Sequence, residues 1–316
     1  MIITYGTYFN NIDITEKFTH RFIQNDIVHI PLDVVFNDIF GDPVRGSLKN
    51  IYIKIPDKEN TVIKENNKVD ITIDLTKLRV ITPKKINLVV IASRSKLYDQ
   101  MIQTYWVPFI DYTKQHYENI NIYLVFGSDA NLDGLDCLTH LKDNIIISDK
   151  PDSLIPGVLD KTLYAFEYLK GSDYDFILRT NMSSFVMIDK LIEYVNTINS
   201  TDIYGGYLHI DASHTYVVGW NICMSRDVVS YTLNNREQLR MDISDDIALG
   251  KLLCKKYNVN ATDDLRIEMG YPCTEKYVEK ELTKNPKSYL CRIKNHYNRK
   301  LDIDFLRYLT KKFYTI

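Results

Sequence analysis

The chain has 316 residues, enough for one large domain or two modest ones. Apolar residues make up 45% and charged residues 25%, which excludes a disordered chain, and the 12 glycines exclude a collagen-like or glycine-linker protein. Lys plus Arg at 39 against Asp plus Glu at 41 leaves a net charge of −2, so a general nucleic-acid-coating role has no electrostatic basis and nucleic acid is not an expected partner.

The five cysteines, Cys137, Cys223, Cys254, Cys273 and Cys291, form no C-x-x-C pair and read as reduced structural thiols. Met1 to Lys17 lacks a secretory core, and the most apolar stretch, Ile86 to Ala92, falls far short of the ~20 residues a spanning helix needs. A soluble, cytoplasmic protein with no transmembrane segment is the expectation. Glycosylation sequons beginning at Asn181, Asn199 and Asn260 therefore carry little weight.

Residues 1–83 read as a small β-rich module, a sandwich or barrel without a strong helical period. Ile51, Ile53 and Ile55 alternate with polar partners, as do Val69, Ile71, Ile73 and Leu75, the period of half-buried strands. Gly41-Asp42-Pro43 and Pro56-Asp57 punctuate turns. The boundary falls near Thr82-Pro83-Lys84.

From residue 84 to 316 the pattern is α/β. Ile86 to Ala92 is a continuous apolar run, as a strand buried on both faces requires. Leu97, Met101, Tyr105 and Phe109 then recur at i+4, beside Tyr98, Ile102, Trp106 and Ile110, predicting a wide-faced helix that Pro108 should kink or shorten. Strands are predicted at Ile122 to Phe126 and Ile145 to Ile147. A helix over Leu159, Leu163, Phe166 and Leu169 is closed by Gly171 in the usual C-terminal glycine position. Phe176 to Leu178 is the next strand, followed by a helix carrying Leu191, Ile192, Val195 and Ile198. Tyr204 to Leu208 and Tyr216 to Met224 are later strands, Ile243 to Tyr257 a final core helix, and Lys284 onward a basic tail. This alternation implies a largely parallel sheet flanked by helices.

Ligands of such sheets sit outside the carboxyl ends of the strands. That draws attention to Ser93-Arg94, Gly127-Ser128-Asp129 and Arg179 to Ser183. None is a G-x-G-x-x-G or G-x-x-x-x-G-K-[ST] loop, and neither H-E-x-x-H nor G-x-S-x-G occurs, so dinucleotide, P-loop, zinc-peptidase and serine-hydrolase readings drop out.

The remaining segments follow an order that resembles the β-1,3-galactosyltransferase and Fringe-like family of GT-A glycosyltransferases. Asn87 to Ser93 stands for its opening strand, Ile102-Gln103-Thr104-Tyr105-Trp106 for I-R-x-T-W, and Tyr123 to Gly127 for the strand ending in glycine. Asp152-Ser153-Leu154 with Lys161-Thr162-Leu163 partly matches D-x-Y-x-N-L-T-x-K-T. Arg179 to Phe185 stands for K-T-D-D-D-x-F, Val218 to Ser225 for the small-G-x-x-Y-x-x-S segment, and Asp245 to Gly250 for E-D-V-x-x-G. The resemblance covers roughly residues 84–300 and leaves the N-terminal module untouched. It implies a GT-A, Rossmann-like mixed sheet and a UDP-sugar donor.

In the family, the D-x-D carboxylates hold Mn²⁺, since a hard cation wants such oxygens. Here Asn181 and Ser183 occupy those positions without charge. Mn²⁺ or Mg²⁺ could be held only weakly or through water. The alternative is that Arg179, Lys161, Arg292, Lys294 and His296 neutralise the leaving diphosphate, Arg through its forked donors and Lys as a point charge. By resemblance Ser93 and Arg94 contact the nucleotide; read alone, they are a polar loop.

Asp245 and Asp246 open a helix, where carboxylates serve well as N-terminal residues. The resemblance instead makes Asp246, or less favourably Asp245, the general base that an inverting transfer requires. Gly219 and Trp220 would face the acceptor, the indole stacking on a sugar, though an indole on a strand is equally often core. Basic runs such as that near Arg292 are commonly solvated surface.

The resulting expectation is a glycosyltransferase moving a hexose or N-acetylhexosamine from a UDP-sugar to a glycan hydroxyl with inversion, in a bacterial or large-DNA-virus setting. Its rival is a catalytically inactive glycan-binding or scaffolding protein that retains the fold.

Overall fold

The computed structural model describes residues 1–7, 10–55, 58, 60–65, 69–78, 82–210, 214–263, 266–267, 275–295 and 298–314. The chain divides into two compact units, Met1–Pro83 and Lys84–Ile316.

In the first unit the elements run β1 (Ile2–Gly6), β2 (Asn11–Asp13), α1 (Thr15–Phe22), β3 (Ile23–Gln24), β4 (Ile27–Ile30), α2 (Phe36–Phe40), β5 (Asn50–Lys54), β6 (Thr61–Lys64) and β7 (Ile71–Asp74). Two antiparallel sheets, β2-β1-β5-β6 and β3-β4-β7, share one core. The alternation of Ile51 and Ile53 puts both fully inside. The two helices depart from the expected absence of helical period. Ile14, Phe18 and Phe22 stand four residues apart and all are buried, and Phe18 lies 5.1 Å from Phe22, centroid to centroid. Phe36 and Phe40 of α2 repeat the device against Tyr5.

The second unit is mixed α/β. Its elements are β8 (Ile86–Ile91), α3 (Lys96–Met101), α4 (Val107–His116), β9 (Ile120–Phe126), β10 (Ile145–Ile147), α5 (Gly157–Leu169), β11 (Phe176–Asn181), β12 (Ser184–Val186), α6 (Ile188–Thr197), β13 (Tyr204–Ile210) and β14 (Thr215–Ser225). There follow α7 (Arg226–Asn234), α8 (Asp245–Leu253), β15 (Val259–Ala261), β16 (Arg266–Ile267), α9 (Glu275–Lys284), β17 (Leu290–Ile293) and α10 (Leu301–Tyr314). Seven strands form one Rossmann-like sheet in the order β10-β9-β8-β11-β14-β13-β15. β10, β9, β8 and β11 are mutually parallel, β14 runs antiparallel to its neighbours β11 and β13, and β15 is parallel to β13. β8 is buried at every residue, which is why its sequence is an unbroken apolar run.

The helix after β8 is not ended by Pro108. Instead, Ile102–Trp106 winds as a π-helical turn joining α3 to α4, and the Val107 amide donates to the Ile102 carbonyl. Proline supplies no N–H to the ladder, and the widened turn just before it absorbs the mismatch, so the helix continues to His116. The face survives intact: Met101, Tyr105, Trp106 and Phe109 are all wholly buried. Gly171 stands just after α5, but not in the left-handed conformation of a glycine cap.

The basic segment from Lys284 is not a surface tail. Leu290, Cys291 and Ile293 of β17 are core residues, and β17 joins β12 and β16 in a three-stranded sheet. Helix α10 buries Ile303, Phe305, Leu306 and Leu309. Among the described residues Cys137, Cys223, Cys254 and Cys291 are free thiols, and no helix is long and apolar enough to cross a membrane.

Candidate functional site

Strand order decides where a site can form. From β8 the chain builds outward through β9 to β10, and α5 then carries it back to β11 on the other side of β8. Connections leave β8 and β11 in opposite directions, and the carboxyl ends of strands at such a switch are where open α/β sheets bind ligands. Those ends are in register, with Ile91 paired to Asn181.

Lys161, on the buried face of α5, reaches this point. Its ammonium donates to the Ala92 carbonyl at 2.7 Å, the Ser93 hydroxyl at 3.3 Å and Asp152 Oδ1 at 2.5 Å. The side chain is fully buried, and desolvation pulls its pKa down while Asp152 pulls it back up. With three acceptors for three protons, Lys161 clamps the loop after β8 to the loop before α5; the expected phosphate contact is taken by protein groups. Gly127 is needed for the same junction: a Cβ there would lie 2.5 Å from the Asp152 amide nitrogen. Arg94 likewise turns to a protein partner, gripping Asp99 through Nε at 2.8 Å and Nη2 at 3.3 Å.

On the neighbouring strand β11 stands Arg179, 1% exposed. Its Nη2 lies 2.7 Å from Asp245 Oδ2 and its Nε donates to Thr162 Oγ1 at 3.4 Å. The contact with Asp245 is ionic and not an aligned hydrogen bond, which leaves Asp245 Oδ2 buried without a hydrogen-bond partner; Arg179 Nη1 is likewise buried and without one. Burial lifts the Asp245 carboxyl above its ordinary range, and the guanidinium offsets only part of that.

Asp246 follows on the first turn of α8. Its Oδ2 accepts from the Gly219 amide at 3.1 Å and its Oδ1 from the Ile247 amide at 3.0 Å. Neither aspartate is the N-cap, which is Ser244. Gly219 is where the group converges. A Cβ added there would stand 2.8 Å from Arg179 Nη1, 3.2 Å from Asp245 Oδ2 and 3.5 Å from Asp246 Cβ. Trp220, next along β14, is 8% exposed and stacks on Tyr207 at 6.4 Å, so most of its indole is covered by protein.

Beyond β11, the Asn181 side-chain carbonyl accepts from Arg292 Nη1, and the Ser183 hydroxyl accepts from Arg299 Nη2 at 2.7 Å. Lys294, just past the end of β17, is half-buried. His296 lies outside the described residues. A divalent cation needs oxygens free to face it, and here both oxygens at the D-x-D positions already face guanidinium groups. These residues do not fit a resident Mn²⁺ or Mg²⁺. Among the described residues, no three His, Cys, Asp or Glu side chains gather in a way that could hold a metal.

The structure thus brings together Ser93, Lys161, Arg179, Asn181, Ser183, Gly219, Asp245, Asp246 and Arg292 around one pair of strand ends. Asp152 and Arg299 belong to the same cluster and escaped the sequence reading. In sequence Asp152 is one acid of a partial motif match, and Arg299 is one charge of the basic stretch from Lys284 onward.

No family profile matches the chain, and no curated protein does. Among solved structures, it is similar to 4-diphosphocytidyl-2C-methyl-D-erythritol synthase from Anaerococcus prevotii DSM 20548, at 12% identity and a TM-score of 0.37, over 64% of this chain and 96% of that one. A second 4-diphosphocytidyl-2C-methyl-D-erythritol synthase aligns at 10% identity and a TM-score of 0.37, over 63% of this chain and 99% of the other.

Proposed function

We propose that the chain is a GT-A-type glycosyltransferase, resembling the β-1,3-galactosyltransferase and Fringe-like family, that transfers a hexose or N-acetylhexosamine from a UDP-sugar to a glycan hydroxyl with inversion. The observation that carries this reading is the convergence at Gly219: a carboxylate held by a backbone amide (Asp246) beside a buried Arg179–Asp245 pair, at the carboxyl ends of strands flanking the order switch.

In this reading Asp246 takes the proton of the acceptor hydroxyl. The acceptor oxygen attacks the anomeric carbon, and the bond from that carbon to the diphosphate oxygen breaks on the opposite face. UDP leaves with the electron pair, its charge met by side-chain cations. Asp246 suits the base role better than Asp245, because Asp245 is committed to Arg179. Ser93 lies at the mouth of β8, where the nucleotide would rest, and the absence of a side chain at Gly219 lets Arg179, Asp245 and Asp246 close up around its backbone.

The test is a hydrolysis and transfer panel over UDP-glucose, UDP-galactose and UDP-N-acetylglucosamine, each with Mn²⁺, Mg²⁺ or EDTA. Turnover of one donor with inversion of the anomer, surviving EDTA, is the expected result. Silence across the panel, with no thermal stabilisation by UDP, would replace the enzyme with the glycan-binding reading.

A further inference from the structure

Arg292 reaches its place through strand pairing. β12 runs antiparallel to β17 with Ser184 opposite Arg292, so the guanidinium lands beside Asn181, three residues before Ser184. Its partner there is a neutral amide. Among the described residues Arg292 makes no ion pair, although burial and the nearby charges of Arg299 and Arg179 pull its pKa down to about 10. Asp302 also acts on it, but that carboxylate is already engaged: Oδ2 accepts from Arg299 Nε at 2.5 Å and Oδ1 from the Asn295 amide at 2.7 Å. The Asp302 side chain is wholly buried. It holds Arg299 from behind while Arg299 Nη2 donates to Ser183.

A largely buried guanidinium with no counter-ion, beside a second one fixed by a buried carboxylate, is costly unless an anion completes it. Forked donors suit the oxygens of phosphate groups. We infer that Arg292 and Arg299, seated on Asn181 and Ser183, bind the diphosphate of a nucleotide directly where a divalent cation would otherwise stand, with Asp302 as the positioning residue of Arg299. The nucleotide part of this inference rests on the proposed glycosyltransferase reading; the anion site does not.

The test is calorimetric titration of the full chain with inorganic pyrophosphate, uridine and UDP, in EDTA and again with Mn²⁺, on the wild type, Arg292→Gln, Arg299→Gln, Arg299→Lys and Asn181→Asp. Wild type should bind pyrophosphate and UDP in EDTA, change less than twofold with Mn²⁺, and bind more weakly as salt rises. Each Arg→Gln change should weaken both ligands at least tenfold, with Arg299→Lys recovering part of the loss.

Asn181→Asp is the sharper variant. An added carboxylate gives Arg292 an internal counter-ion, so the unliganded protein should melt at a higher temperature while pyrophosphate binds at least tenfold more weakly. If Asn181→Asp instead binds pyrophosphate in EDTA as tightly as the wild type, or if wild-type UDP binding requires Mn²⁺, the arginine site is overturned and the nucleotide reading survives. Arginine-dependent binding of pyrophosphate with UDP no tighter supports the anion site and overturns the nucleotide reading. No binding of either ligand in any condition overturns both.

Discussion

Arg179 Nη2 and Asp245 Oδ2 lie 2.7 Å apart, with the arginine side chain 2% and the aspartate side chain 14% exposed. A pair this buried is held in place by the penalty of breaking it more than by its own attraction. Arg179→Met should therefore cost about 3–5 kcal/mol, because it strands the Asp245 carboxylate. Arg179→Met combined with Asp245→Leu should recover most of that loss. Urea unfolding of both single variants and the double variant measures the coupling, and costs that merely add would show the pair is not a unit.

The same carboxyl predicts a pH dependence of stability. Burial raises the Asp245 pKa in the folded chain above the ordinary 3.8. Between 3.8 and the raised value the folded chain binds more protons than the unfolded one, so this group's contribution falls as pH rises. The penalty is absent below that window and fully present above it. Asp245→Asn should flatten this part of the profile when urea midpoints are compared from pH 4 to pH 7. An unchanged slope would mean that Arg179 fully compensates burial.

Gly219 is constrained by space. Its missing Cβ would stand 2.8 Å from Arg179 Nη1, a guanidinium that cannot swing away because it is enclosed. Gly219→Ala should cost about 1–3 kcal/mol in thermal or urea unfolding, the usual range for overpacking. It should also lower transfer, since the methyl displaces the ion pair beside Asp246. A variant as stable and as active as the parent would show that the pair yields freely.

Much of this architecture is legible in the sequence wherever a residue's environment is set by its own strand or helix. The run Ile86 to Ile91 is apolar because β8 is covered on both faces, and Met101, Tyr105 and Phe109 keep one helical face even through the π turn. Helix α1 carries an equally readable signal in Ile14, Phe18 and Phe22, hidden among the alternating strands around it. What cannot be read locally is anything created by register between distant strands. Arg292 and Arg299 sit in a segment whose charge suggests a solvated tail, and only the pairing of β12 with β17 brings them to Asn181 and Ser183. Lys161 fails for a related reason: a lysine predicts a phosphate contact as readily as a buried clamp, and the acceptors that decide come from residues 92, 93 and 152.

Asp246 provides the most direct test of chemistry at this site. Its Oδ2 is oriented by the Gly219 amide, and its place on the first turn of α8 puts it at the end of the helix where negative charge is favoured. Asp246→Asn preserves shape and can still accept from that amide, but it cannot take a proton. Transfer should fall by about 10²–10⁴ in kcat, the usual contribution of a general base, while UDP-induced thermal stabilisation stays unchanged. The split between the two readouts matters, because a purely structural aspartate would lose nucleotide stabilisation and activity together. Transfer at the parental rate in Asp246→Asn would remove the residue from the base role and move the search to Asp245.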